Sequence, residues 1–291
     1  MLEGIIIKAI GGFYYIKTCA GIIESRARGI LRVEGITPLV GDFVRIRISS
    51  EDNSGYVEEI LERKNELIRP PVANITQAVI VMSAKKPDIN TWLLDKFLMM
   101  AEHKNLNIII CFNKLDLSEE ETNRLKKTYE LAGYEVIITS STLDIGIEKL
   151  KEALKNNITV FAGPSGVGKS SLLNRLNKDF NRETGLVSGK SKRGKHTTRS
   201  VELLELGENS YVLDTPGFSS LDLSFIEDVS DVRLYFREIK EHGKGCRFLS
   251  CLHDKEPDCS VKKAVEQGII DKDRYKNYLL LLEEIKNTRR Y

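Results

Sequence analysis

Two short runs of this sequence have the residue types and spacing to hold a nucleotide. Gly163-Pro164-Ser165-Gly166-Val167-Gly168-Lys169-Ser170 fits G-x-x-x-x-G-K-[ST]. Glycines at this spacing let backbone N–H groups converge on phosphate oxygens, and a helix starting at the end of the run adds its dipole. Lys169 is then placed to reach the β- and γ-phosphates, and the Ser170 hydroxyl to bind Mg²⁺. Asn113-Lys114-Leu115-Asp116 suits the reading of a base. Guanine offers two adjacent donors, N1–H and the N2 amine, which one carboxylate can accept together; adenine would set its N1 acceptor against the anion. Asp116 therefore reads guanine, the Lys114 stem lies along the ring, and Asn113 ties this loop to the phosphate loop. Thr139-Ser140-Ser141 can present backbone N–H groups to guanine O6.

A third run, Asp214-Thr215-Pro216-Gly217, is common by chance and gains weight only from its place at the end of a strand. There Asp214 suits a water-mediated Mg²⁺ ligand, and Gly217 can offer its N–H to a γ-phosphate. Between the phosphate loop and this turn lies the polar stretch GKSKRGKHTTRS, residues 189–200. Thr197 or Thr198 can close over Mg²⁺ when a γ-phosphate is present. The alternative for this stretch is a solvated basic loop.

Cys246, Cys251, His253 and Cys259 form C-x4-C-x-H-x5-C. Three thiolates and one imidazole suit tetrahedral Zn²⁺ with no open position, hence a structural site. Five cysteines is an odd count, and Cys19 and Cys111 stand alone. That pattern excludes a disulfide scaffold and fits a reducing compartment.

These residues need elements to hold them. Residues 78–84, 107–112, 135–141 and 157–163 read as apolar strands, alternating with helical patterns at 91–103, 118–134 and 146–154. Ser118 reads as a helix cap. Such alternation predicts a parallel sheet covered on both faces, with its ligands at the carboxyl ends of the strands. Residues 1–68 instead carry short β-branched runs punctuated by glycine, the pattern of a small OB-type barrel. Arg26, Arg28, Arg32, Arg45 and Arg47 lie on it, either as a basic binding face or as an ordinary solvated one. Arg69-Pro70-Pro71 reads as a linker. After Leu221 the chain is charged and helical. Arg247, Lys255, Lys262 and Lys263 there suit either a phosphate backbone or plain solvent.

Lys+Arg number 44 against Asp+Glu 42, a net charge of +2, so any nucleic-acid surface must be local. No run approaches the length of a membrane span, and the first basic residue follows the N-terminal apolar stretch, the wrong order for a secretory signal.

The order of the motifs is unusual: the base-reading run and the Ser140 segment precede the phosphate loop, whereas ordinary G proteins begin with it. Rejoining a domain at surface loops preserves its site. NKLD, GPSGVGKS, GKHTT, DTPGF and the Cys/His spacing, in this order, resemble the RsgA (YjeQ/YloQ) family of circularly permuted GTPases. The resemblance implies an OB-fold RNA-binding domain at 1–68, a circularly permuted α/β P-loop GTPase domain at 69–221 and an α-helical zinc-binding domain at 222–291. It implies a cytoplasmic monomer that binds the 30S ribosomal subunit and 16S rRNA, with no DNA or membrane partner. GTP is hydrolysed to GDP and phosphate during late subunit maturation, stimulated by the subunit, with Mg²⁺ and one structural Zn²⁺. Phe218 stands where Ras-like proteins carry the glutamine that orients water, and the resemblance gives that role to His196, with Lys169 and Thr198 as its catalytic companions. An rRNA-binding scaffold with a structural nucleotide site, or an ATP-using enzyme on the same loop, would fit parts of this pattern.

Overall fold

The N-terminal β-branched runs form strands β1 (Leu2–Ile10), β2 (Phe13–Thr18) and β3 (Gly21–Ala27), a short helix α1 (Gly29–Val33), then β4 (Phe43–Ile48) and β5 (Gly55–Ile60). They close as β1-β2-β3-β5-β4, with β1 and β4 antiparallel and β3 and β5 parallel. A helix between the third and fourth strands of such a barrel is the OB arrangement. Ile6, Ile16, Val44, Ile46 and Val57 fill its interior. Closure leaves no long unpaired edge, which is how so small a sheet becomes stable.

This structure is a computed structural model describing residues 1–33, 35–49, 54–68, 70–183, 201–207, 209–213 and 222–288. The barrel arginines are largely spent on neighbours. Arg45 pairs with Glu3 and Glu59, Arg28 and Arg47 both pair with Glu58, and Arg26 lies over the Phe13 ring. The side chain of Arg32 falls outside the described set. Where a linker was expected, β6 (Glu66–Leu67) pairs antiparallel with β7 (Val72–Ala73). Asn74 secures this hairpin, donating to the Gly41 carbonyl at 3.0 Å and accepting from the Lys64 N–H at 2.9 Å.

The α/β region follows as β8 (Gln77–Ser83), α2 (Thr91–His103), β9 (Asn107–Asn113), α3 (Glu119–Leu131), β10 (Glu135–Ile138), α4 (Ile147–Ala153), β11 (Ile158–Ala162), α5 (Lys169–Glu183), β12 (Leu203–Gly207) and β13 (Ser210–Leu213). The six strands run in the order β10-β9-β8-β11-β13-β12. β9–β10 and β11–β13 are parallel, as expected, but β12 is an antiparallel edge that the sequence reading passed over. Asn90 caps α2 by accepting from the Leu93 N–H at 2.9 Å. Ser118 sits at the cap position of α3 without using its side chain; its carbonyl instead accepts from the Thr122 hydroxyl at 2.6 Å.

Beyond residue 222 come a 3-10 turn (Val229–Tyr235), α6 (Arg237–Gly243), α7 (Ser260–Glu266) and α8 (Lys272–Thr288). Ile226, Val232, Phe236, Ile239, Tyr278 and Leu281 share one core with Met99 of α2. By contact the chain falls into two units. One comprises Met1–Gln77, Lys151–Phe161 and Leu173–Ser219; the other comprises Ala78–Leu150, Ala162–Leu172 and Ser220–Tyr291. The base-reading run (113–116), the phosphate loop (163–170) and the Cys/His cluster lie in the second. No helix among the described residues is long and apolar enough to cross a membrane.

Candidate functional site

The phosphate loop leaves β11 and runs directly into α5, the strand–loop–helix context its spacing requires. Two of its glycines are dictated by neighbours. At Gly163 (φ 130°) a Cβ would run into the Val81 carbonyl, and at Gly168 (φ 98°) into the Asn113 side-chain amide. Val167 is fully buried and anchors the loop. Lys169 folds over it, its ammonium donating to the Gly163 and Pro164 carbonyls at 2.8 and 2.6 Å. Burial lowers its pKa below the ordinary lysine range. Ser170 and Ser165 are exposed.

The base-reading run is bonded onto this loop. Asn113, fully buried at the end of β9, donates its amide to the Val167 carbonyl at 2.9 Å. Its own carbonyl accepts from the Thr139 hydroxyl at 3.1 Å. Lys114 takes the left-handed conformation (φ 64°) and donates to the carbonyls of Gly166, at 2.6 Å, and Lys86. Asp116 is exposed, and its carboxylate accepts from the Ser140 hydroxyl. That hydrogen bond holds the carboxyl below the ordinary aspartate range.

In the Thr139–Ser141 segment the fold itself binds the first two backbone amides. The backbone N–H of Thr139 is bound to the Phe112 carbonyl at 2.8 Å, and that of Ser140 to the Ile145 carbonyl at 3.0 Å. Those two amides are therefore occupied by the fold, and Ser140 acts through its hydroxyl on Asp116. Thr139 was not foreseen as a support for Asn113; only its adjacency to Ser140 pointed toward it.

The four Cys/His donors converge as their spacing predicts. Their ligand atoms all lie within 4.8 Å of one another. Cys246 Sγ is 3.8 Å from Cys259 Sγ, and His253 Nδ1 is 3.5 and 3.4 Å from those two sulfurs. Ligands on Zn–S bonds of about 2.3 Å in a tetrahedron lie about 3.8 Å apart, so the donor set fits the ion. Burial pushes the Cys251 thiol up to about 12 and holds His253 down to about 4. A neutral imidazole is what a metal accepts, whereas a thiol resisting ionisation needs a cation beside it. Arg233 braces this loop, donating to the Leu249 and Cys251 carbonyls at 2.7 and 3.2 Å.

Comparison with known proteins now decides the family. The RsgA GTPase family profile matches residues 60–224, and the RsgA N-terminal domain profile matches residues 3–57. The chain belongs to the RsgA GTPase family. Among its relatives, the protein called small ribosomal subunit biogenesis GTPase RsgA in Caldanaerobacter subterraneus subsp. tengcongensis is 49% identical over 100% of this chain and 98% of its own. The RsgA of Alkaliphilus metalliredigens is 48% identical over 100% of both. A solved structure described as YloQ, a circularly permuted GTPase, superposes with a TM-score of 0.83 at 40% identity, covering 99% of this chain and 96% of that one. YjeQ from Thermotoga maritima gives 0.83 at 36%, covering 97% and 98%.

As an RsgA GTPase the chain is a GTP-hydrolysing enzyme on a circularly permuted P-loop fold, preceded by a five-stranded barrel and followed by a Cys3His cluster suited to zinc. Among the residues expected at its site, His196, Thr198, Asp214 and Gly217 lie outside the described residues.

Proposed function

We propose that this RsgA GTPase binds the 30S ribosomal subunit through 16S rRNA and hydrolyses GTP during late subunit maturation, with docking on the subunit raising its turnover. The names of its relatives support the partner. The observation that carries the nucleotide reading is the direct bonding of two distant sequence runs, Asn113 to Val167 and Lys114 to Gly166. That bonding supports one pocket served by both Lys169 and Asp116. In this reading the barrel (1–68) and the zinc-binding tail (222–291) grip the subunit, while residues 69–221 carry the nucleotide. The chain works as a cytoplasmic monomer, on RNA rather than DNA.

Asp116 accepts the N1–H and N2 amine of guanine, and Ser140 keeps that carboxylate ionised and aimed. Lys114 flanks the base. Lys169 exchanges its two carbonyl partners for the β- and γ-phosphates, and the N–H groups of Gly163 to Ser170 surround the phosphate oxygens. Ser170 and Thr198, with Asp214 through water, would hold Mg²⁺, which would supply positive charge against the charge spreading over the transferred phosphoryl group. Water then adds at the γ-phosphorus as the bond to the β-phosphate oxygen breaks, leaving GDP and phosphate; His196 orients that water. Cys246, Cys251, His253 and Cys259 hold Zn²⁺.

Phosphate release measured with GTP, XTP and ATP, with and without 30S subunits, tests the reading. GTP turnover should be low alone and strongly raised by subunits, and Asp116→Asn should move the preference to XTP. Subunits that leave turnover unchanged would remove the partner, and an Asp116→Asn enzyme that still prefers GTP would remove the base reader. A His196→Ala enzyme with normal GTP affinity and full stimulated turnover would remove that residue's role.

A further inference from the structure

Large apolar side chains are exposed at several points, but only Phe248 and Leu249 are neighbours in the chain among the described residues, at 43% and 94% exposure. They stand with Arg247 in the four-residue arc between Cys246 and Cys251, two of the four clustered donors. The arc is fixed at both ends and in the middle. Cys246 N–H donates to the Gly243 carbonyl and Cys251 N–H to the Phe248 carbonyl, both at 3.1 Å. The Arg233 guanidinium holds the carbonyl of Leu249 at 2.7 Å. With its backbone tied down in this way, the arc turns its side chains outward at little further entropic cost on binding.

The charge of the arc is also unbalanced. The guanidinium of Arg247 lies over the Phe248 ring, 5.6 Å from its centre, and no carboxylate pairs with it among the described residues. On the barrel, by contrast, Arg28, Arg45 and Arg47 are each paired with glutamate. An exposed aromatic ring with a cation that no carboxylate neutralises is the combination with which proteins hold unpaired RNA: the ring's open face stacks on a base and the cation meets a phosphate.

We propose that the Arg247-Phe248-Leu249 arc is an RNA-docking tip, in which Phe248 stacks on an unpaired base, Leu249 covers its edge and Arg247 meets the adjoining phosphate. The proposal rests on the ribosomal reading above and names the contact that reading lacks.

Binding of 30S subunits to the full chain, wild type against Phe248→Ala, is the first measurement, with zinc content and subunit-free GTP turnover as controls for folding. Loss of one stacked base predicts affinity lower by roughly 5- to 150-fold. Arg247→Gln should lower the salt dependence of binding by about one counterion. Equal 30S affinity in the Phe248→Ala protein would overturn the tip while leaving the ribosomal role intact. A second measurement separates RNA from protein. Phe248→Trp places an indole at the tip, read against the single native tryptophan, Trp92. Quenching of its fluorescence by protein-free 16S rRNA supports stacking. No quenching overturns the RNA assignment, and if Phe248→Ala still lost 30S binding the partner would be a ribosomal protein. Should the wild-type chain bind no 30S subunits, the ribosomal reading fails and the quenching result alone decides the tip.

Discussion

The nucleotide loops and the Cys/His loop belong to the same compact unit, yet they are held in opposite ways. The nucleotide site is assembled by hydrogen bonds that the chain supplies itself. Asn113 bridges Val167 and Thr139, and backbone carbonyls receive Lys114 and Lys169. The Cys/His site gathers three thiols and an imidazole within 4.8 Å of one another, and burial opposes ionisation of two of the thiols, pushing Cys251 up to about 12. One is shaped before its ligand arrives; the other gathers donors that only a cation reconciles. A site that must release product on every turnover can rest on its own bonds, whereas a closed structural site can make the ion part of the fold.

The largest effect should come from removing that ion. Chelation, or Cys259→Ser, is expected to abolish protection of the 222–288 region in hydrogen exchange, because the binding energy of a structural ion is folding energy. Residues of β8, β9 and the phosphate loop should keep most of theirs. Uniform loss across the unit would show that the two sites are not built independently.

Next in size is Arg274. This guanidinium is buried between Asp95 of α2 and Glu238 of α6, donating to the first at 2.5 Å and to the second at 2.8 and 3.1 Å. Tyr129 and Asn277 complete the shell of Asp95 at 2.9 and 2.7 Å. Burial opposes its charge, but the two carboxylates hold it ionised, above the ordinary guanidinium range. Arg274→Met strands both carboxylates and should cost about 3–5 kcal/mol in urea unfolding. Adding Asp95→Asn and Glu238→Gln should restore much of it. If Arg274→Met alone were neutral, the C-terminal helices would be held by their apolar core and the metal without help from this network.

Both sites were readable because their residues cluster at fixed spacings, and the barrel was readable from β-branched alternation. What escaped depends on contacts made across the chain. Arg274 meets partners 179 and 36 residues away, and no local pattern marks it. The hairpin of residues 66–73 hides behind a Pro-Pro pair that looks like a linker, because Asn74 and the barrel supply its bonds. β12 carries no alternation strong enough to stand out from the polar stretch before it. The Thr139-Ser140-Ser141 segment was legible, but the sequence does not say that the fold already binds its first two amides, nor that the Ser140 hydroxyl meets Asp116.

Asn113→Ala tests the self-built half of the comparison. The change leaves the Val167 carbonyl without its Asn113 partner and the Thr139 hydroxyl with Cys111 Sγ alone, at about 1–3 kcal/mol, and leaves the bond from Lys114 to Gly166 to join the two loops. GDP affinity by calorimetry should fall, while zinc content should not change. A protein equally stable and equally tight for GDP would mean that Lys114 and the packing of Val167 suffice to join the loops.

The smallest effect, and the finest test, is a pH shift at Ser140. Guanine is accepted by the ionised form of Asp116, and the Ser140 hydroxyl keeps that form populated to lower pH than usual. The folded-state pKa is depressed, so the benefit is present at neutral pH and is lost as pH falls through that depressed value. Ser140→Ala removes the largest cause of the depression and returns the carboxyl toward the ordinary aspartate range. GDP affinity should then be nearly unchanged at pH 7, with its acid decline beginning at higher pH than in the wild type. Asp116→Asn, which has no carboxylate to protonate there, should show no acid limb. Superimposable acid limbs in wild type and Ser140→Ala would mean that Ser140 only shapes the 139–145 turn, and that the base-reading carboxylate is aimed by its own loop alone.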